Sequence, residues 1–141
     1  MPELTRKIIG SAMKVHSAPG PGLPESAYEA CLCRELALSG LAFRRQVPLI
    51  VSYEGLHLDC AYRLDLVIEE KVIAELKCVE DLLPIHHARL LTYLRLSGKR
   101  GGLLVNFNVA HLRDGTRRVI AQSAPNVLPL PIDFLCALCV L

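Results

Sequence analysis

The chain has 141 residues, of which 52% are hydrophobic, 21% charged and none Trp, so it suits one compact globular domain and excludes a disordered chain. A formal net charge of +2 is too small to mark a nucleic-acid binder by itself, although basic doublets recur at Arg44-Arg45, Lys99-Arg100 and Arg117-Arg118. With no leader pattern and no apolar run long enough to span a bilayer, a cytoplasmic location without membrane contact is expected, with the six cysteines as thiols.

A first helix is predicted from about Glu3 to His16, with Leu4, Ile8, Ala12 and Val15 along one stripe. Pro19-Gly-Pro-Gly22 breaks it, and a second helix is predicted from about Glu25 to Ser39, stopped by Gly40. The stripe assigned to that second helix is Ala27, Cys31, Leu32, Glu35 and Leu38. Strands follow at about Ala42–Tyr53, Leu56–Ile68 and Val72–Cys78, with turns at Glu54-Gly55 and Glu69-Glu70-Lys71. Pro84 suits an early position of a third helix that reaches Leu96 and stops at Gly98. Strands at Gly102–Asn108 and Arg117–Ile120 complete the pattern, which predicts an α/β or α+β fold with a mixed sheet flanked by helices. Residues 1–121 form the expected domain, and for the Pro-punctuated apolar tail 122–141 the sequence leaves three readings open: packing on the body, contact with another subunit such as a second copy of the chain, or an accident of where the reading frame ends. Cys136-Ala-Leu-Cys139 has the spacing of half a zinc site, but there is no matching second pair.

The chemistry concentrates between Tyr62 and Lys77. Alternate strand residues share a face, so Glu75 and Lys77 project together, and Asp65 joins them if its strand pairs with theirs. That requires an odd number of residues in the connecting loop, with Ile68 opposite Val72; a simple two-residue turn would put Asp65 opposite Ala74. Two carboxylates and an ammonium at one spot can hold a hard cation and a water, or can be only a solvated cross-strand cluster. Glu25 either favours the N-terminus of its helix or leans toward Asp65 and Glu75 as a third carboxylate. Tyr28 and Glu29, on the same first turns, support either role. On the third helix His86, Arg89 and Tyr93 form a polar stripe beside an apolar one of Ile85, Leu90 and Leu94. His16, Asn106 and Asn108 are expected to be satisfied hydrogen-bonding residues. No phosphate-binding glycine loop and no nucleophile elbow is present.

Gly22-Leu-Pro-Glu25-Ser-Ala-Tyr28 resembles the Gly-x-x-Glu-x-x-Tyr signature of a small bacterial family, the GxxExxY proteins. The resemblance continues through Leu58–Leu66, Val72–Lys77, Leu82–His86, Leu91–Arg100 and Leu104–Asn108, covering roughly Ile8 to Ile120 in order. That family looks like a branch of the PD-(D/E)xK nuclease superfamily, which implies a restriction-endonuclease-like core. Carried over, Asp65 is the superfamily aspartate, Glu75 and Lys77 are its Glu-x-Lys, and Glu25 is the acid of the preceding helix. Arg89-Leu-Leu-Thr-Tyr93 stands where RecB-like members carry Gln-x-x-x-Tyr, so Tyr93 matches and Arg89 replaces the glutamine.

The resemblance implies that Mg2+ or Mn2+ is held by Asp65, Glu75 and the Leu76 carbonyl, with Glu25 as an inner or water-mediated ligand. Lys77 then orients or helps deprotonate the attacking water. Tyr93, Arg89 and His86 contact the phosphate of a DNA or RNA substrate. Arg89 could instead pair with Glu25 or Glu75 and compete with the metal. Against this nuclease stands a protein that kept the fold and serves as a silent accessory or nucleic-acid-binding scaffold. Hydrolysis of a small phosphoester would need an enclosed pocket.

Overall fold

The computed structural model describes residues 2–58, 62–122 and 138–139. In chain order the elements are α1 (Pro2–Ser17), α2 (Glu25–Leu38), β1 (Phe43–Pro48), β2 (Ile50–Tyr53), β3 (Leu56–Leu58), β4 (Arg63–Ile68), β5 (Val72–Lys77), α3 (Pro84–Ser97), β6 (Gly101–Asn106), β7 (Thr116–Ile120) and β8 (Leu138–Cys139). A short 3-10 helix, Leu112–Gly115, precedes β7. The central sheet has the order β1-β4-β5-β6-β7, antiparallel except for β5 and β6. Parallel neighbours cannot be joined by a hairpin, and α3 makes the crossover between them. This is the mixed sheet with flanking helices expected of a restriction-endonuclease-like core.

Strand alternation divides the core into two. Ala74 and Leu76 of β5 enter a cluster with Ile8, Leu32, Leu36 and Phe107, under α1 and α2. Ile73 points the other way, into a smaller cluster with Leu90, Tyr93 and Leu94 of α3. Gly102 lets α3 approach β6, since a Cβ there would meet the side chains of Leu90 and Leu94 at 3.1 Å.

Three expectations need correction. The two long strands are each divided: the chain leaves the central sheet at Leu49, whose N–H donates to the Tyr62 carbonyl at 3.0 Å. Residues Ile50–Leu58 then form a separate hairpin, with Tyr53 paired to Leu56 across the predicted Glu54-Gly55 turn. A run of β-formers carries no mark of which sheet it joins.

The buried face of α2 is Tyr28, Leu32 and Leu36 flanked by Glu29 and Cys33, whereas Leu38 and Cys31 are exposed. Apolar residues surround this helix, so periodicity does not fix its rotation; the Tyr28 ring does, stacked on Phe107 at 4.4 Å. Ile85, placed on the apolar stripe of α3, is 53% exposed, and Tyr93 takes a core position instead.

His16 and Asn106 are satisfied as expected. His16 Nε2 meets the Val109 carbonyl at 2.8 Å, and the Asn106 amide donates to Val79 O at 2.8 Å while accepting from the N–H of Val79 and Asn108. Among the described residues no helix is long and apolar enough to cross a membrane. Leu138–Cys139 pairs with β2, while Cys60, Cys136 and most of the tail lie outside the described residues.

Candidate active site

The hairpin turn decides the site. Lys71 N–H donates to the Ile68 carbonyl at 3.0 Å, with Glu69 and Glu70 both at φ 53°. Ile68 nevertheless pairs with Val72, so three residues separate the partners and the odd loop is realised. The pairing runs to Leu66–Ala74, and Asp65 and Glu75 are the next residues of the two strands. From there the side chains continue the ladder: Asp65 N–H donates to Glu75 Oε1 at 3.2 Å, and Leu76 N–H donates to Asp65 Oδ2 at 2.8 Å. Each carboxylate is thereby fixed to the other's strand.

Glu75 is only 7% exposed. Burial first, and the neighbouring Asp65 second, push its carboxyl up to about 8. Burial likewise raises Asp65, against the Leu76 N–H and the Lys77 charge, which hold it down. Lys77 follows Glu75 by two residues on the same strand, at the end of β5.

Glu25 stands on the first turn of α2, which begins after Pro24 without a side-chain cap. Gly20 and Gly22, at φ 70° and 115°, make the turn before it, a conformation that side chains disfavour. Tyr28 fastens this turn: its hydroxyl donates to the Gly20 carbonyl and accepts from Leu23 N–H at 3.2 Å. The Tyr28 ring is fully buried, so its role is to hold the loop that presents Glu25. Glu25 is exposed, yet partial burial and then the Asp65 charge raise its carboxyl, while Lys77 lowers it. Its charge is felt at Glu75, and its place in the first helical turn is favourable as well. Among the described residues no three His, Cys, Asp or Glu side chains come together in a metal-holding group, so the close carboxylate pair is Asp65 and Glu75.

Behind Asp65 lies a polar brace that sequence reasoning did not identify. Glu29, buried on α2, accepts from Arg45 at 2.9 Å and from Gln46 Nε2 at 2.7 Å. The Gln46 side chain also bonds Asp65. Gln46 sits in β1 at φ 49°, a left-handed conformation that costs of order 1–3 kcal/mol for a residue of this kind. No sequence signal marks a strained glutamine within a strand.

On α3 the polar stripe separates into three roles. His86 Nδ1 accepts from Leu83 N–H at 3.0 Å at the start of the helix, and burial, then the Lys77 and Arg89 charges, lower its pKa. Tyr93 is buried; burial and then the Glu75 charge push its hydroxyl above the ordinary tyrosine range, so it stays protonated. Arg89 is exposed and forms no ion pair among the described residues, so the expected alternative of pairing with Glu25 or Glu75 is not observed. Arg89 and Tyr93 line a cavity of about 320 Å3 with Tyr62, which had no role in the sequence reading.

The basic doublets are largely engaged within the molecule. Arg44 pairs with Glu70 through two bonds of 2.7 and 2.8 Å, Lys99 donates to the Glu70 carbonyl, and Arg117 donates to the Asp114 and Thr116 carbonyls. A family model described as the PD-(D/E)XK nuclease superfamily matches residues 2–119. No curated protein and no solved structure matches the chain.

Proposed function

This chain belongs to the PD-(D/E)XK nuclease superfamily, and from that membership we propose that it is a divalent-metal-dependent nuclease hydrolysing phosphodiester bonds of DNA or RNA. The observation that carries the proposal is the two bonds that tie Asp65 to Glu75 and Leu76, with Lys77 on the same face as Glu75. The GxxExxY branch is the finer assignment, supported by the Gly22–Tyr28 signature and by the loop-fastening role of Tyr28. Cys31, Cys33 and Cys78 are free thiols, which suits a cytoplasmic protein.

The donor set fits a hard cation. A buried Glu75 beside a half-buried Asp65 is costly to charge, and the raised Glu75 pKa reflects its burial first and the Asp65 charge second. Asp65, Glu75 and the Leu76 carbonyl would hold Mg2+ or Mn2+, with Glu25 direct or through water. When bound, such an ion supplies an activated water and neutralises phosphate charge. Lys77 would orient a water beside Glu75 or help deprotonate it. Tyr93 offers a hydroxyl hydrogen, Arg89 a fixed positive charge for the phosphate, and His86 a neutral imidazole at the rim.

A silent accessory protein is the second reading, and the specific observation in its favour is that no third ligand joins the pair among the described residues. Calorimetry with Mn2+ on Asp65→Ala, Glu75→Ala and Lys77→Ala tests the roles. Metal binding should be lost in the first two and kept in the third, which should have lost cleavage. Equal Mn2+ affinity in all three would refute the assignment.

A further inference from the structure

We propose that the cavity beside Tyr93 receives an unpaired nucleobase, which makes single-stranded or frayed nucleic acid the substrate class of this catalytic edge; the proposal rests on the nuclease reading above. The cavity, about 320 Å3, lies between α3 and the segment around Leu49 and Tyr62. Its volume is at the small end of ligand pockets, which run from about 300 to 1,000 Å3. The walls are Leu49, Ile85 and Leu96 together with the rings of Tyr62 and Tyr93. The half-buried Tyr62 ring stands 5.8 Å from the buried Tyr93 ring at 56° to it, so Tyr62 supplies the aromatic surface at the opening, backed by Tyr93.

This lining does not suit a phosphate. An isolated phosphate carries about two negative charges, and Arg89 is the one cation among the described residues that line the cavity. Nor can an intact duplex enter, because its bases are stacked and its outer surface is charged. A flat heterocycle matches: every base has a π-face, and stacking on tyrosine is tolerant of sequence. Exposed Arg89 then either stacks on the base or holds the phosphate of the same nucleotide. Ile85, 53% exposed at this cavity, gains an apolar neighbour when the base is seated.

The location links the cavity to the chemistry. Tyr93 belongs to the cluster that contains Ile73 of β5, the face that also carries Glu75 and Lys77. A base held there leaves its backbone beside the carboxylate pair, so cleavage falls next to an unstacked nucleotide.

The test uses the full-length Asp65→Asn protein, which keeps an acceptor for Leu76 N–H, and oligonucleotides containing 2-aminopurine. A single strand should bind at least tenfold more tightly than a blunt duplex of the same sequence, with altered 2-aminopurine emission on stacking. Tyr62→Ala should weaken single-strand binding about 5- to 150-fold, the equivalent of one stacked base, and Tyr62→Phe should restore it. Duplex binding should be unmoved by either change, and circular dichroism would verify folding. Equal affinity for single strand and duplex, or a folded Tyr62→Ala protein with unchanged affinity, would overturn the proposal. A protein that cleaves duplex without these effects loses this inference alone, whereas one that neither binds nor cleaves nucleic acid loses the nuclease reading too.

Discussion

The two faces of the central sheet are built from the same strands and do different work. Under α1 and α2 the face is closed, with Leu32, Leu36, Leu66, Leu76 and Phe107 all at 0% exposure. On the α3 side a smaller cluster around Leu90 and Leu94 borders an open cavity, and Glu75 and Lys77 share the face of Ile73. Within β5 the change comes residue by residue, Ala74 and Leu76 against Glu75 and Lys77. Stability therefore resides chiefly on the α1/α2 face, and the α3 face carries polar groups that oppose it.

The largest expected effect is on the closed face. Leu36→Ala should cost about 2–5 kcal/mol in chemical denaturation, because the site is fully buried and its neighbours cannot collapse onto it. A loss under about 1 kcal/mol would mean that this face is not the stabilising one.

Glu75 should show the opposite sign. Its carboxyl titrates near 8 in the folded protein and at 4.5 by ordinary chemistry, so between these values the native state holds a proton that the unfolded chain releases. Metal-free stability should therefore fall as pH rises from about 5 to about 8, and Asp65, also raised, acts in the same direction. Glu75→Gln should remove most of that decline, a gain on the order of a few kcal/mol at pH 8, read from melting curves across pH. Added Mn2+ should raise the melting temperature of the wild type and not of the variant. A wild-type profile that rises across this window would contradict the electrostatics of the pair.

Asn106→Ala comes next, at about 1–3 kcal/mol, since it strips partners from the Val79 and Asn108 backbone just beyond Lys77. Cleavage should suffer out of proportion to stability, because the segment that follows β5 loses its tie to β6. At the small end, Arg44→Ala should leave melting and activity unmoved, as its pair with Glu70 is at the surface.

How much of this was legible in the sequence depended on what kind of signal each feature leaves. The α1 stripe, the Pro84 start and Gly98 end of α3, and the odd loop that sets Asp65 against Glu75 follow from periodicity, proline and glycine chemistry, and strand geometry. Motif order carried the superfamily, and the family model bears it out. The rotation of α2 was not legible because the Tyr28–Phe107 stack that fixes it joins residues far apart in the chain. Gln46 was hidden because a left-handed residue inside β1 has no composition signature. Tyr62 was hidden because its ring meets Tyr93 beside the cavity, a contact between separate elements.

The most direct test is cleavage of a mixture of single-stranded and duplex DNA and RNA with Mg2+ or Mn2+, comparing the wild type with Asp65→Ala and Lys77→Ala. The wild type should cut only with a divalent ion present, and each substitution should lower the rate by at least a hundredfold, about 2.7 kcal/mol of barrier. Metal-independent cutting, or cutting that persists in Asp65→Ala, would contradict a hydrolytic site at the Asp65–Glu75 pair.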